Sequence, residues 1–366
     1  MANVLILGGY GNFGKRIAEK LAARGVAVII AGRDETKTKA IAAGLSKVRA
    51  VAFDVNAELD TQLASLKPVV VVNTCGPFQN RDYRVAAACI RHGAHYIDLA
   101  DGRDFVRDIA VLDGAAKERG VAVISGASTV PGLSSAVIEH FKPAFSRIDD
   151  MIYGISPGQG AERGLATTQG ILTYVGKPLK PFAGQSKPVY GWQDLYRQEY
   201  PVLGKRWMAN CDIPDLDLLP SRYGIASIRF SAGLELGVLH LGLWGLSWAV
   251  RMGAALHLPA FAKPLLAVSN LFNRFGTSDG GMHVILRGVD TMGKPLEKRW
   301  FIIAREGHGP YIPCMPAVVL AEKLVSGVDF VAGAYPCVGL VTLEEYMLGL
   351  NGLAIAAGED LPNINA

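Results

Sequence analysis

The sequence has 366 residues, of which 50% are hydrophobic and 19% are charged, and its formal net charge is +4. A chain of this length and composition can bury the cores of two domains, which excludes wholesale disorder. Its 37 basic and 33 acidic residues are too evenly balanced for a dedicated nucleic-acid binder, so we expect no nucleic-acid partner.

The cysteines and the first residues bear on the cellular compartment. The five cysteines include no C-x-x-C pair, which argues against a disulfide framework and against a zinc site built on cysteine. The chain enters an apolar run after residue 3, without the basic segment and cleavage site of a signal peptide. We therefore expect reduced thiols, a cytoplasmic location and no metal site.

Strand and helix signals alternate through the first 130 residues. Apolar or β-branched runs predict strands at residues 4–7, 26–31, 48–53, 68–72, 96–99 and 121–125. Helical spacing predicts helices over residues 15–24, 84–93 and 106–120. Because unbroken β-branched runs are typical of parallel sheets covered on both faces, the fold class predicted is α/β, with a Rossmann-like doubly wound parallel sheet.

The alternation ends after residue 132. A predicted helix at residues 133–141 and a strand at 151–155 are followed much later by a hairpin at 281–305, which turns at 291–294. Further helices are predicted at residues 313–324 and 342–350. Strands and helices without strict alternation indicate a second domain of the α+β class.

One apolar segment extends from Leu236 to Val250. Its fifteen residues are fewer than the roughly 20 needed to span a bilayer. We interpret it as a helix that is buried in the core or at a subunit interface. Trp244, Trp248 and the nearby run at residues 261–275 support the alternative of contact with a membrane surface.

The most informative motif directly follows the first predicted strand. It has the G-x-G-x-x-G pattern and opens the first predicted helix, which is the context that a dinucleotide-binding loop requires. In such a loop the glycines permit a tight turn and close packing, and the pyrophosphate lies on the positive end of the helix. The predicted cofactor-binding residues of this loop are Gly8, Gly9, Tyr10, Gly11, Asn12, Phe13 and Gly14.

The end of the second predicted strand bears on which dinucleotide is bound. An NAD site usually places an acidic residue there, whereas this chain has Arg33 followed by Asp34. Since a guanidinium can pair with a 2′-phosphate, we predict NADP as the cofactor. NAD is the alternative, if the Asp34 carboxylate binds the ribose instead.

Two further strand ends are predicted to reach the cofactor, because open parallel sheets bind ligands at the carboxyl ends of their strands. Asp54 and Val55 follow the third strand, where the adenine edge is expected, and Asp54 has the alternative role of a cap. The loop after the fourth strand should approach the nicotinamide half, with the predicted binding residues Thr74, Cys75, Gly76, Pro77 and Phe78.

The candidates for proton transfer are few. The sequence has no Tyr-x-x-x-Lys pair, G-x-S-x-G elbow or H-E-x-x-H motif. Asp98 ends a predicted strand, and His308 and Tyr311 lie in a loop bounded by glycine and proline, so we predict these three as catalytic residues. The alternatives are a structural cap for Asp98 and a surface position for His308. Arg163 is a candidate for binding an anionic group of the substrate.

At these residues the chain resembles the saccharopine dehydrogenase-like oxidoreductases. Besides the glycine loop, the resemblance is carried by residues 31–33 (AGR), 73–78 (NTCGPF), 88–99 and 126–131, within about the first 135 residues. It implies a Rossmann-like dinucleotide-binding domain at residues 1–132. It also implies an α+β domain at residues 133–339 that supplies substrate contacts and a dimer interface. Helices within residues 340–366 should pack back on the first domain.

The chain also departs from this family's pattern. Many relatives read Tyr-x-Asp-Leu-x-Gly-Glu where residues 96–102 read YIDLADG, and Ser128 stands where an Asp is often found. These losses argue against an amino-acid substrate such as saccharopine, and the apolar second domain favours a less polar one.

The function predicted from the sequence is therefore an NADP-dependent oxidoreductase, acting as a homodimer. It would reduce a C=N, C=O or C=C bond of a small, apolar substrate. The alternative is a non-catalytic NADP(H)-binding redox sensor or membrane-surface adaptor. That alternative rests on the weak proton-donor candidates and on the apolar segment.

Overall fold

The structure is a computed structural model that describes residues 3–79, 81–328, 330–359 and 361. Its strands are β1 (Asn3–Leu7), β2 (Ala27–Gly32), β3 (Val48–Ala52), β4 (Val70–Asn73), β5 (His95–Asp98), β6 (Ala122–Ser125), β7 (Phe145–Ser156), β8 (Tyr196–Tyr200), β9 (Gly204–Asn210), β10 (Ser227–Ala232), β11 (Gly280–Asp290), β12 (Pro295–Ala304), β13 (Gly333–Pro336) and β14 (Ile355–Gly358). Its α-helices are α1 (Asn12–Ala23), α2 (Glu35–Ala43), α3 (Val55–Leu66), α4 (Arg84–Arg91), α5 (Arg103–Arg107), α6 (Asp113–Arg119), α7 (Ser134–Phe141), α8 (Leu165–Leu172), α9 (Asp215–Tyr223), α10 (Gly237–Arg251), α11 (Ala262–Leu271), α12 (Met315–Val325) and α13 (Leu343–Leu350).

The chain forms two compact units. The first contains the chain as far as Ala136 and again Tyr311–Gly349, and the second contains Val137–Pro310 and the described residues from Leu350 onward. The chain thus returns to the first unit at Tyr311 and not near residue 340. The reason is that α12, which is almost wholly buried, packs on β4 and β5. In addition, β13 pairs with β6 and so extends the sheet of the first unit. Part of the segment 340–366 belongs to the second unit, since β14 pairs there with β12.

The first unit is built on a seven-stranded sheet in the order β13-β6-β5-β4-β1-β2-β3, and every pairing in it is parallel. This confirms the predicted α/β fold with a Rossmann-like doubly wound sheet. The strand order reverses between β1 and β4, so the loops that follow these two strands diverge at the carboxyl edge. A cleft at that point is the usual ligand site of such sheets.

The helices of the first unit form for local reasons. Helix α1 buries Ile17, Ala18 and Leu21 at helical spacing, and Gly25 follows its end with φ +79°. The predicted helix over residues 106–120 is divided into α5, a 3₁₀ turn at Asp108–Leu112 and α6. That turn packs on β13, and the Asp113 carboxylate accepts a hydrogen bond from Ala334 N at 3.1 Å.

The second unit contains a mixed sheet in the order β14-β12-β11-β7-β10-β9-β8, which confirms an α+β domain. Only β7 and β10 pair in parallel among its described strands, and the remaining pairs are antiparallel. The predicted hairpin is formed by β11 and β12. The Asp290 carboxylate closes its turn by accepting from Met292 N and Lys294 N, both at 2.8 Å.

The apolar segment at residues 236–250 is the helix α10. Only two residues of this helix are fully buried, His240 and Ser247, while Val238 and Trp248 are exposed. The prediction of a helix is confirmed, but within this chain α10 is not buried on all sides. Among the described residues, no helix is long and apolar enough to cross a membrane.

Candidate functional site

A cleft of about 350 Å³ opens in the first unit, beside the loops that follow β1, β2, β3 and β4. Of the predicted cofactor-binding residues, those that line it are Gly8, Tyr10, Gly11, Arg33, Asp54, Val55, Thr74, Cys75, Gly76 and Phe78. The others lie just outside its lining, and these are Gly9, Asn12, Phe13, Gly14 and Pro77. Ten of the fifteen predicted residues thus lie on one surface, drawn from four separate strand ends.

The loop after β1 is held by backbone hydrogen bonds to the end of β2. Gly8 N and Gly9 N both donate to Ala31 O, at 3.0 and 2.9 Å, and Gly11 N donates to Gly8 O at 2.8 Å. Gly8 has φ +79°, a conformation that side chains with a Cβ rarely adopt. The loop is consequently a fixed turn, and Gly8 and Gly11 present backbone to the cleft.

Two glycines of the loop are required by close packing. A Cβ added at Gly9 would lie 2.6 Å from Ile30 Cβ, and one added at Gly14 would lie 2.9 Å from Gly9 Cα and collide with the carbonyl oxygen of Gly8. Both glycines therefore lie outside the cleft lining and contribute by permitting close packing of the loop. They let the loop lie against β2 and let α1 begin directly behind it.

Helix α1 begins at the cleft without a side-chain cap. Its N-cap is Gly11, which lines the cleft, and its first turn contains no acidic residue. The N–H groups at a helix start carry partial positive charge and lack intrahelical acceptors. This end of α1 is therefore suited to bind an anionic group such as a phosphate.

Arg33 and Asp34, at the end of β2, are used differently. Arg33 is exposed and lines the cleft, and within the described residues its guanidinium has no hydrogen-bond or ion-pair partner. The Asp34 carboxylate caps α2 instead: it accepts from Lys37 N at 3.0 Å and pairs with Lys37 Nζ at 3.0 Å. The hydrogen bond from Lys37 N lowers the pKa of Asp34, so this carboxylate is ionised and engaged with the helix.

Asp54, at the end of β3, lies at the cleft and also caps a helix. Its carboxylate accepts from Asn56 N at 2.9 Å, and Asp54 N donates to the Glu58 carboxylate at 3.1 Å. These two hydrogen bonds cap the start of α3. Val55, the first residue of α3, completes this side of the cleft.

The loop after β4 is tied to the end of β1. Thr74 donates to Leu7 O through both its backbone N, at 3.0 Å, and its Oγ1, at 2.8 Å. Cys75 N donates to the Asn73 carboxamide oxygen at 3.0 Å, and Cys75 is exposed. These bonds fix the loop on the opposite side of the cleft from Arg33's strand.

Sequence reasoning missed a polar pair at the bottom of the cleft. Asn73 Nδ2 donates to the Tyr96 hydroxyl at 3.1 Å, and both residues line the cleft although both are buried. Burial raises the pKa of Tyr96 well above its ordinary value, so its hydroxyl is neutral. The position of Asn73 at a strand's carboxyl end was the signal that could have found it.

A second missed group follows the β4 loop in sequence. Arg81, Asp82, Tyr83 and Arg84 all line the cleft just before or at the start of α4. Arg81 Nε donates to the carbonyl oxygen of Pro77 at 3.2 Å. Two arginines at the start of a helix on the carboxyl edge add positive charge to the cleft.

Asp98 is fully buried at the end of β5 and does not line the cleft. Its Oδ1 accepts from Ala100 N at 2.9 Å, Ser125 Oγ at 2.9 Å and Gly126 N at 2.8 Å. Burial raises the pKa of Asp98 to about 6, against the opposing effect of these hydrogen bonds. In this arrangement Asp98 holds the turn after β6, which corresponds to the structural alternative considered for this residue and not to a catalytic role.

The other two predicted catalytic residues lie in different units, and neither lines the cleft. His308 Nδ1, in the second unit, accepts from Ala354 N at 2.9 Å. In the first unit the Tyr311 hydroxyl donates to the Glu19 carboxylate at 2.8 Å. Burial, followed by the bond to Glu19, raises the pKa of Tyr311 to about 12.

Arg163 lies in the second unit, where its guanidinium is engaged by protein groups. It donates to Ser269 Oγ at 2.8 Å and also to the carbonyl oxygen of Gln159. Across the described residues, no cluster of three or more His, Cys, Asp or Glu side chains is arranged to hold a metal ion.

Comparison with known proteins finds a family model that matches part of the first unit. Residues 4–124 match the family model of the saccharopine dehydrogenase NADP binding domain. No curated protein sequence matches the chain.

Solved structures extend the likeness of fold to the whole chain. Saccharopine dehydrogenase (L-Glu forming) from Saccharomyces cerevisiae superposes with a TM-score of 0.67 at 13% identity, covering 99% of this chain and 100% of that one. The amine dehydrogenase from Mycobacterium smegmatis gives a TM-score of 0.50 at 10% identity, covering 92% and 95%. At these identities the likeness establishes the fold.

The packing of the glycine loop leads to a prediction about stability. Gly14→Ala should lower the free energy of unfolding of the first unit by about 1–3 kcal/mol, because the added methyl group has no space beside Gly8 and Gly9. Urea unfolding measures the change. Gly114→Ala in α6 is the control, since nothing lies within 4 Å of its added Cβ, and it should be neutral or stabilising. Equal effects of the two substitutions would contradict the packing argument.

The buried Asp98 leads to a prediction about pH. Its pKa is about 6 in the folded chain and near 3.8 ordinarily, so between these values the folded state keeps a proton that the unfolded state releases. The stability from this group is therefore fully present below about pH 4 and is lost as pH rises through 6. The free energy of unfolding of the wild type should fall relative to Asp98→Asn by up to about 3 kcal/mol between pH 4 and 7.

Urea titrations of both proteins at several pH values test this dependence. A difference between wild type and Asp98→Asn that stays constant with pH would show that the Asp98 carboxyl is not held protonated.

Proposed function

We propose that this chain, whose residues 4–124 form an NADP-binding domain of the saccharopine dehydrogenase family, is an NADP(H)-dependent oxidoreductase. Its substrate is a small, apolar compound with a reducible C=N, C=O or C=C bond. The preference for NADP rests on Arg33, whose exposed guanidinium lines the cleft and has no partner among the described residues.

The residues of the cleft fit a dinucleotide. A Cβ at Gly14 would fill the space behind the loop, and the uncapped start of α1 offers N–H groups to a pyrophosphate. Asp54 and Val55 would border the adenine, and Thr74 to Phe78 would border the nicotinamide half. When bound, NADPH supplies the hydride, and the protein orients the ring and excludes competing reactions.

The division of roles at the end of β2 supports NADP over NAD. An NAD site needs a carboxylate that accepts from the ribose hydroxyls, and Asp34, the nearest one after Arg33, caps α2 and is paired with Lys37. Arg33 in contrast has the charge and the donor geometry for a 2′-phosphate.

One observation favours a second candidate, a non-catalytic NADP(H)-binding redox sensor. None of the three predicted proton donors lines the cleft of the first unit. Three tyrosines line it, and one of them, Tyr83, donates a hydrogen bond from its hydroxyl to Phe105 O at 2.8 Å, while burial followed by the Asp108 charge raises the pKa of Tyr83 to about 12. A reductase would need its proton from one of the other two, Tyr10 and Tyr96, from another group or from water.

A binding titration tests the cofactor assignment. NADPH should bind at least ~30-fold more tightly than NADH, a difference of about 2 kcal/mol, as expected for charge-assisted hydrogen bonds to the 2′-phosphate. Arg33→Ala should abolish most of this difference by weakening NADPH alone. Arg49→Ala, at an exposed arginine of β3 that does not line the cleft, is the matched control. Unchanged NADPH affinity in Arg33→Ala would refute the assignment.

A turnover experiment separates the reductase from the sensor. NADPH carrying deuterium at the transferable position is incubated with apolar imines, ketones and enones, and the products are analysed by mass spectrometry. Transfer of deuterium to one class of compound is the expected result. Tight NADPH binding without transfer to any of the three classes would favour the sensor.

A further inference from the structure

Helix α10 buries two polar residues completely and leaves three apolar side chains exposed, while its other apolar residues are partly buried. Its fully buried residues are His240 and Ser247, while Val238, Leu241 and Trp248 are exposed. The His240 ring accepts from Leu234 N at 3.2 Å, and Ser247 Oγ donates to Trp244 O at 2.6 Å, so both polar side chains have protein partners. A helix of a soluble protein normally shows the opposite arrangement.

The exposed apolar surface continues along the chain through α11. Nine of the fourteen large apolar side chains that are exposed in the described residues fall between positions 238 and 275. The exposed apolar side chains are therefore concentrated in this one segment of the chain. We call these nine residues the apolar face, and they are Val238, Leu241, Trp248, Met252, Leu256, Phe261, Val268, Leu271 and Phe275. Clusters of this kind mark interaction sites.

A groove joins the two helices of the apolar face. It has a volume of about 280 Å³ and is lined by both α10 and α11, with the exposed Val238 and Val268 among its lining residues. Arg163 is the one charged side chain among its described lining residues, and it is held there by Ser269. The groove is therefore an apolar space with a cation in its wall.

The charge of the segment has one sign. No Asp or Glu occurs between Glu235 and Asp279, whereas Arg251, Lys263 and Arg274 are present and exposed. Glu235 itself is largely buried and pairs with Arg206 at 3.4 Å. The surroundings of the apolar face are thus cationic.

We propose that the apolar face docks on the surface of an anionic lipid bilayer. Tryptophan, phenylalanine and leucine beside lysine and arginine, without acidic residues, are typical of helices that lie in the membrane interface. A second copy of the chain fits less well, because a two-fold contact through this face would bring like charges together. In this position the cations contact lipid headgroups, and the apolar side chains and the groove face the acyl region.

Vesicle flotation with the full chain tests the proposal. Vesicles of phosphatidylcholine with an equal amount of phosphatidylglycerol should bind the protein, and vesicles of phosphatidylcholine alone should bind it at least about tenfold more weakly. Raising the salt concentration should weaken binding, because the electrostatic contribution is screened. Absence of binding, or equal binding to both kinds of vesicle, would overturn the proposal.

Matched substitutions assign the binding to this surface. Leu271→Glu should reduce binding at least about tenfold, whereas Leu348→Glu on α13 should not, although the two leucines are similarly exposed, at 73% and 69%. Lys263→Glu should weaken binding more than Lys187→Glu, which changes an exposed lysine outside the segment. Binding of Leu271→Glu at the wild-type level would overturn the proposal.

Two measurements keep these outcomes distinct from loss of folding and from dimerisation. NADPH affinity and circular dichroism should be unchanged in Leu271→Glu, and Val268→Glu serves as a second variant if that protein does not fold. Molecular mass is measured in solution without vesicles. Conversion of a wild-type dimer to a monomer by Leu271→Glu would show that a second copy covers the face, which would overturn the proposal.

Discussion

The candidate site depends on how closely the loop after β1 approaches its neighbours. Gly9 lies against Ile30 of β2, and Gly14 lies against the carbonyl oxygen of Gly8, where a methyl group has no space. Because of this close packing, α1 begins immediately behind the loop, and its uncapped end reaches the cleft. The cleft lies where the strand order reverses between β1 and β4, so its position is determined by the backbone topology and not by particular side chains.

The proposed preference for NADP rests on the charges at the end of β2. Neighbouring residues of opposite sign are separated by a local hydrogen bond, since the Asp34 carboxylate caps α2 through Lys37 N. Arg33 is left as the exposed charge at this strand end, and Arg81 and Arg84 add two more cations to the lining. The lining thus has three arginines against two aspartates, Asp54 and Asp82, beside a helix start, an arrangement that suits a ligand with phosphate groups.

The features that the sequence predicted are those with a local cause. The β-branched runs, the glycine loop and the Asp290 hairpin turn are each determined by a few neighbouring residues. The features that it missed depend on distant partners. Tyr311 bonds to Glu19, 292 residues away in sequence, and Asp98 is enclosed by the turn after β6, so neither reaches the cleft. The inward position of His240 and Ser247 could not be predicted from the composition of α10, because these side chains pack against the distant residues Trp192 and Gln193.

The most direct test of the proposed cofactor site is a crystal structure of the protein with NADP⁺. The pyrophosphate is expected at the N–H groups of the glycine loop and of the first turn of α1, and the 2′-phosphate within hydrogen-bond distance of the Arg33 guanidinium. A 2′-phosphate that points away from Arg33, or a dinucleotide bound outside this cleft, would contradict this assignment.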